Sequence, residues 1–148
     1  MPSFDSLFQE ARGSGVSYSG RLLFRVDRFP VENARVLRIV IESTKSNWKQ
    51  GMMLNFHGHV LISGKSYGEP IVFWQDTAPP EIQVKLDGSQ DTILFRNVWD
   101  VGNGVTHSWH NGAAMWIEEI ESGKRYHCND GFPDDDFDDI VFRVERME

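Results

Sequence analysis

From residue 21 onward, apolar stretches rich in Val, Ile, Phe and Trp are cut short by Gly, Pro, Asn and Asp, with no helical period sustained between the breaks. Such punctuation restricts the chain to short strands. The segments fall at 21–27, 34–43, 52–56, 59–63, 70–75, 82–86, 92–98, 113–119, 125–128 and 140–145. About ten strands of this length predict an all-β fold, a two-layer antiparallel β-sandwich. Val36, Leu37, Ile39, Val40 and Ile41 form an almost continuous apolar run that suits a central strand. Ile82-Gln83-Val84-Lys85-Leu86 alternates and suits a strand with one solvated face. Gly58, Gly88 and Gly123 read as turns. Residues 1–20, with Phe4, Leu7 and Phe8 ahead of Gly13-Ser14-Gly15, read as an N-terminal arm or short helix, and 21–148 as the sandwich domain.

At 148 residues the chain matches one domain that needs no disulfide to support its core. Its net charge of -7 lacks the clustered basic surface that phosphate backbones require, which excludes nucleic acid as the expected partner. No apolar run reaches the ~20 residues of a membrane-spanning helix. Met1-Pro2-Ser3-Phe4-Asp5 lacks the basic and apolar regions of a secretory signal. This predicts cytoplasmic synthesis and leaves signal-less export open. Cys128 is the only cysteine and forms no internal disulfide. With no basic side chain closer than Lys124 and Arg125, its thiol is expected to be buried or inert.

The segment from Asn129 to Asp139 holds six Asp residues directly before the apolar run at 140–145. Carboxylates packed this closely repel one another, and a hard cation with six to eight oxygen ligands is a physical remedy. Gly131 and Pro133 enforce turns, so Asn129, Asp130, Asp134, Asp135 and Asp136 are candidate ligands of Ca²⁺. Counting back from Ile140 by strand alternation puts Asp138 and Asp136 on the side of Phe142 and Val144. If that side faces the core, Asp138 needs a metal, an Arg or backbone N–H groups, and it joins the candidate ligands. The alternative is a solvated acidic turn. The D-x-D-x-D-G order and terminal Glu of an EF-hand are missing.

Asp134-Asp135-Asp136-Phe137-Asp138-Asp139-Ile140-Val141 resembles the D-x-D-[FY]-[ND]-D-[LIV]-V motif of bacterial β-sandwich domains, where an Asp-rich turn associated with calcium precedes a C-terminal strand. Asn47-Trp48-Lys49-Gln50-Gly51-Met52 and Gly58-His59-Val60-Leu61-Ile62-Ser63-Gly64 are similar to the rhythm of galactose-binding-like sandwiches, which include calcium-dependent bacterial lectins. The resemblance implies a jelly roll whose loop-bound calcium grips sugar hydroxyls.

A second constellation spans 97–112. Trp99 and Trp109 are candidate stacking platforms, and Asp100, Asn103, His107, His110 and Asn111 are candidate partners for hydroxyl groups. Sugars present apolar C–H faces to aromatic rings and hydroxyls to such side chains, although Trp residues also pack inward. Trp116, between Met115 and Ile117, reads as core, while Trp74 fits either role. His57 with His59, or His107 with His110, has a spacing that permits zinc without completing a ligand set. Ser108 lacks a hydrolase elbow, and Glu118 and Glu119 point to opposite faces of a strand, so neither supports a hydrolase.

These features predict a non-enzymatic, calcium-dependent binding domain whose partner is a glycan or glycoconjugate. The alternative is an interaction or homo-oligomerisation module in which the acidic turn is purely structural. A small metallo-hydrolase built on His57, His59 and the Asp cluster is a third reading.

Overall fold

A computed structural model describes residues 4, 8, 15–18, 20–108, 113–130 and 136–147. Among the described residues thirteen strands form two antiparallel sheets, giving the two-layer all-β architecture. They are β1 Val16–Tyr18, β2 Arg21–Phe24, β3 Asp27–Pro30, β4 Val36–Thr44, β5 Lys49–Asn55, β6 Val60–Ile62, β7 Lys65–Tyr67, β8 Ile71–Trp74, β9 Glu81–Leu86, β10 Thr92–Asp100, β11 Ala114–Ile120, β12 Gly123–Asn129 and β13 Ile140–Met147. The larger sheet runs β1-β2-β11-β12-β13-β4-β9-β6-β7, and the smaller runs β3-β10-β5-β8. Among the described residues no helix is long and apolar enough to cross a membrane.

The strand count exceeds the sequence expectation at three places. The segment 21–27 divides, so that β2 stays in the larger sheet while β3 begins the smaller one beside β10. Val16–Tyr18 pairs with β2, and the exposed Lys65–Tyr67 pairs with β6. These added strands are short and carry little apolar periodicity, so only their ladder partners identify them.

Between the sheets, β4 and β13 contribute Leu37, Ile39, Phe142 and Val144, facing Met52, Leu54, Ile93 and Phe95 from β5 and β10. Phe95 lies 5.8 Å from Phe29, 5.9 Å from Tyr126 and 6.4 Å from Phe142, ring centre to ring centre. Burying such side chains contributes about 1.5–3 kcal/mol each before the entropy of ordering is counted. The Tyr126 hydroxyl donates to Asp27 at 2.6 Å, and Lys124 Nζ meets the same carboxylate at 3.0 Å. Burial, assisted by the Asp27 charge, raises the Tyr126 pKa well above its usual value. A smaller cluster gathers Phe4, Phe8, Val16, Leu23, Ala114 and Phe137.

Trp116 packs, half-buried, against the smaller apolar cluster and not into the inter-sheet core. Met115 and Ile117 pack into the inter-sheet core, so alternation sends Trp116 to the outer face of the larger sheet. There its ring stacks on His127 at 3.9 Å, and the Arg21 guanidinium lies 4.4 Å from its centre. His127 Nε2 is 3.0 Å from Glu118, which also pairs with Arg125 at 3.2 Å. Arg125 and Arg143 then share Glu42 at 2.9 and 2.8 Å, and Arg143 reaches Glu145 at 3.0 Å. A charge ladder thus crosses β11, β12, β13 and β4.

Candidate functional site

The C-terminal end of β12 delivers Asn129 and Asp130 into the interior, with side-chain-inclusive exposures of 0% and 1%. Asn129 Oδ1 accepts the Phe137 N–H at 2.7 Å, while Asn97 Nδ2 on β10 donates to the Asn129 carbonyl at 2.7 Å. Asp130 Oδ2 accepts the Ser46 hydroxyl at 2.6 Å and Gln50 Nε2 at 2.9 Å. The Asp130 N–H donates to Asp139 Oδ2 at 2.9 Å. The acidic segment is therefore stitched at both ends to β4–β5, β10 and the start of β13.

Within it, the inward carboxylate is Asp139 and not Asp138. Asp139 is buried, whereas the Asp138 side chain is 39% exposed and lies 3.9 Å from Lys45. Alternation fails because the extended ladder begins only at Ile140 and the backbone bends at Asp139; just upstream, Phe137 turns with a positive φ of 55°. That turn sends the Phe137 ring into the smaller apolar cluster. Asp136 is exposed. Asp134 and Asp135 lie outside the described residues.

The oxygens gathered at Asp130, Asp139 and Gln50 are hard donors that suit calcium. Among the described residues no group of three or more His, Cys, Asp or Glu is arranged to hold a metal. The acidic contribution described there is Asp130 with Asp139. Burial and then the Asp139 charge push the neighbouring Cys128 thiol well above its usual pKa, so it offers neither a nucleophile nor a thiolate ligand.

The loop after β10 adjoins this end of the sandwich. Trp99 pairs in register with Gln50, and Asp100 with Lys49, so two constellations distant in sequence converge. Trp99 is 1% exposed and its ring lies 6.2 Å from His107, so its faces are covered instead of being offered as a stacking platform. A backbone bridge also joins Trp99 to His107, in both directions, at 3.1 and 2.8 Å. Asp100 Oδ1 accepts the N–H groups of Gly102, Asn103 and Gly104 at 2.8, 3.1 and 3.2 Å. The Gly102 bond leads the contributions that hold the Asp100 carboxyl below its usual pKa. Asn103 Oδ1 accepts the Val105 N–H at 3.2 Å. Both side chains thus build their own loop, which exposes Val101 and Val105. Trp109, His110 and Asn111 lie outside the described residues.

His57 and His59 flank the turn beyond the other end of β5. That strand has 7 residues. At about 3.3 Å per residue it separates them from Gln50 and Asp130 by roughly 20 Å. The His pair and the buried carboxylates therefore do not share a site. Sequence reasoning did not assign Gln50, Ser46 or Asn97 to the acidic turn because only the cross-sheet contacts bring these polar residues there; Gln50, just ahead of the strand expected at 52–56, was the available signal.

Fold and site together define an antiparallel β-sandwich with a buried, acid-rich closure at one end. No protein-family model matches the chain, and no curated protein or solved structure matches it.

Proposed function

We propose that this chain is a non-enzymatic binding domain in which Ca²⁺, held by the acidic turn, braces a recognition surface for a glycan or glycoconjugate. The observation that carries this reading is the Asp130–Gln50–Trp99 connection. Asp130 bonds Gln50 at 2.9 Å, and Gln50 faces Trp99 in the β5–β10 ladder, one residue before the loop organised by Asp100. A cation at Asp130 and Asp139 would neutralise buried carboxylates and fix the strand ends from which that loop projects. Asp100 and Asn103 act in this reading by shaping the loop, and Trp99 by supporting it from beneath.

Thermal unfolding in Ca²⁺ and in EDTA tests the reading, because a ligand of the native state raises the midpoint with its concentration. A calcium-dependent rise together with calcium-dependent glycan-array binding is the expected result. An unchanged midpoint removes the calcium step, and an absence of glycan binding in both conditions removes the sugar.

A second reading, a protein-interaction or homo-oligomerisation module, is favoured by the apolar tip of the same loop. Val101 and Val105 are 42% and 50% exposed. Apolar tips framed by polar backbone suit a protein surface. A concentration-dependent mass that falls in Val105→Asp would support it.

A further inference from the structure

Gln50 is 2% exposed, and its side-chain Oε1 has no hydrogen-bond partner. Its Nε2, by contrast, is fully engaged, donating to Asp130 Oδ2 at 2.9 Å and to the Trp48 carbonyl at 3.2 Å. Reversing the amide would not relieve this arrangement, since it would aim an oxygen at two acceptors. The bare oxygen is attached to the same carbon as the nitrogen that grips Asp130, so one amide group links it to that carboxylate. A buried acceptor left bare costs free energy, which a cation, like a water or an N–H donor, would offset if it reached the oxygen.

We infer that Gln50 Oε1 is a neutral ligand of a divalent cation shared with Asp130, and that the choice of an amide selects a hard, oxygen-seeking ion of calcium's size. This inference rests on the calcium reading above and adds to it a ligand from β5, outside the acidic turn. The donors are all oxygen, the pattern of calcium sites, and a neutral amide completes coordination without adding a charge to the buried Asp130 and Asp139. The assignment also gives calcium a route to the loop. Gln50 lies opposite Trp99 in the ladder, so coordination would hold the β5–β10 pair at the point where β10 leaves the sheet.

The test uses the full chain, with Ca²⁺ and Mg²⁺ titrated against wild type and Gln50→Met, a substitution of similar volume that removes both polar atoms. Calcium affinity is expected to fall at least about tenfold in Gln50→Met, with Mg²⁺ binding more weakly than Ca²⁺ in wild type. Equal calcium affinity in the two proteins overturns the Gln50 assignment and leaves the calcium reading standing. No calcium binding by wild type overturns both. A second measurement stands if Gln50→Met fails to fold: Tb³⁺ bound to wild type should show indole-sensitised emission that calcium displaces and that weakens in Trp99→Phe. Absence of that emission at saturating Tb³⁺ overturns the assignment.

Discussion

Asn129 Oδ1 accepts the Phe137 N–H at 2.7 Å, so a side chain at the end of β12 holds the backbone eight residues further on. Buried hydrogen bonds fix Asn129 and Asp130 on one side of the acidic segment and Phe137 and Asp139 on the other. Asn129→Ala is expected to leave the Phe137 N–H without this acceptor and to destabilise the fold by about 1–3 kcal/mol. Urea unfolding checks this, and a midpoint within error of wild type would show that the tether is dispensable.

Gly123 opens β12 opposite Glu145, and a Cβ placed on it would lie 1.8 Å from the Val144 carbonyl oxygen. The obstacle is backbone in a central ladder, which cannot swing aside as a side chain would. Gly123→Ala is expected to cost about 3 kcal/mol through a forced shift of β12 against β13. Gly20, with φ of 78° and open space around it, provides a comparison in which only backbone strain opposes the same substitution.

Asp100 is held below the usual carboxylate range, chiefly by the Gly102 N–H. For a depressed carboxylate, the stabilisation is present above the unfolded pKa of about 3.9 and is lost as pH falls through the folded value. Amide exchange at Gly102, Asn103 and Gly104 is therefore expected to accelerate, relative to intrinsic rates, at acidic pH. Asp100→Asn should weaken protection already at neutral pH. Protection that does not change with pH would remove the carboxylate from its role in the loop.

Glu42 receives Arg125 and Arg143 from two different strands. Burial works to raise its pKa, but the two guanidinium groups outweigh it and lower the net value. Because the ladder is partly solvated, Glu42→Gln is expected to cost about 1 kcal/mol, and less in high salt. Its contribution should disappear as pH falls through the depressed Glu42 pKa. A salt-independent loss would indicate packing as the cause.

The strand segments that the sequence marked clearly are those with strong apolar character, such as β4, β9, β10 and β13. The switch of the chain from β2 to β3 left no comparable mark, because moving between sheets is decided by which ladder accepts the strand. Asp138 and Asp139 make the same point at the site. Alternation points to Asp138 as the inward residue, but the bend at Asp139 breaks the phase before the strand begins. Trp99 was legible as a notable aromatic, but its burial under neighbouring structure was not.

By itself the amino-acid sequence determined a short-strand, all-β chain with an acid-rich turn ahead of its last strand, since periodicity and turn chemistry are local properties. Tertiary structure alone decided that Gln50 from β5, Asn97 from β10 and Asp139 at the entry to β13 meet at that turn. Hydrogen bonds between residues 80, 32 and 9 positions apart depend on sheet order and register, which no local spacing encodes.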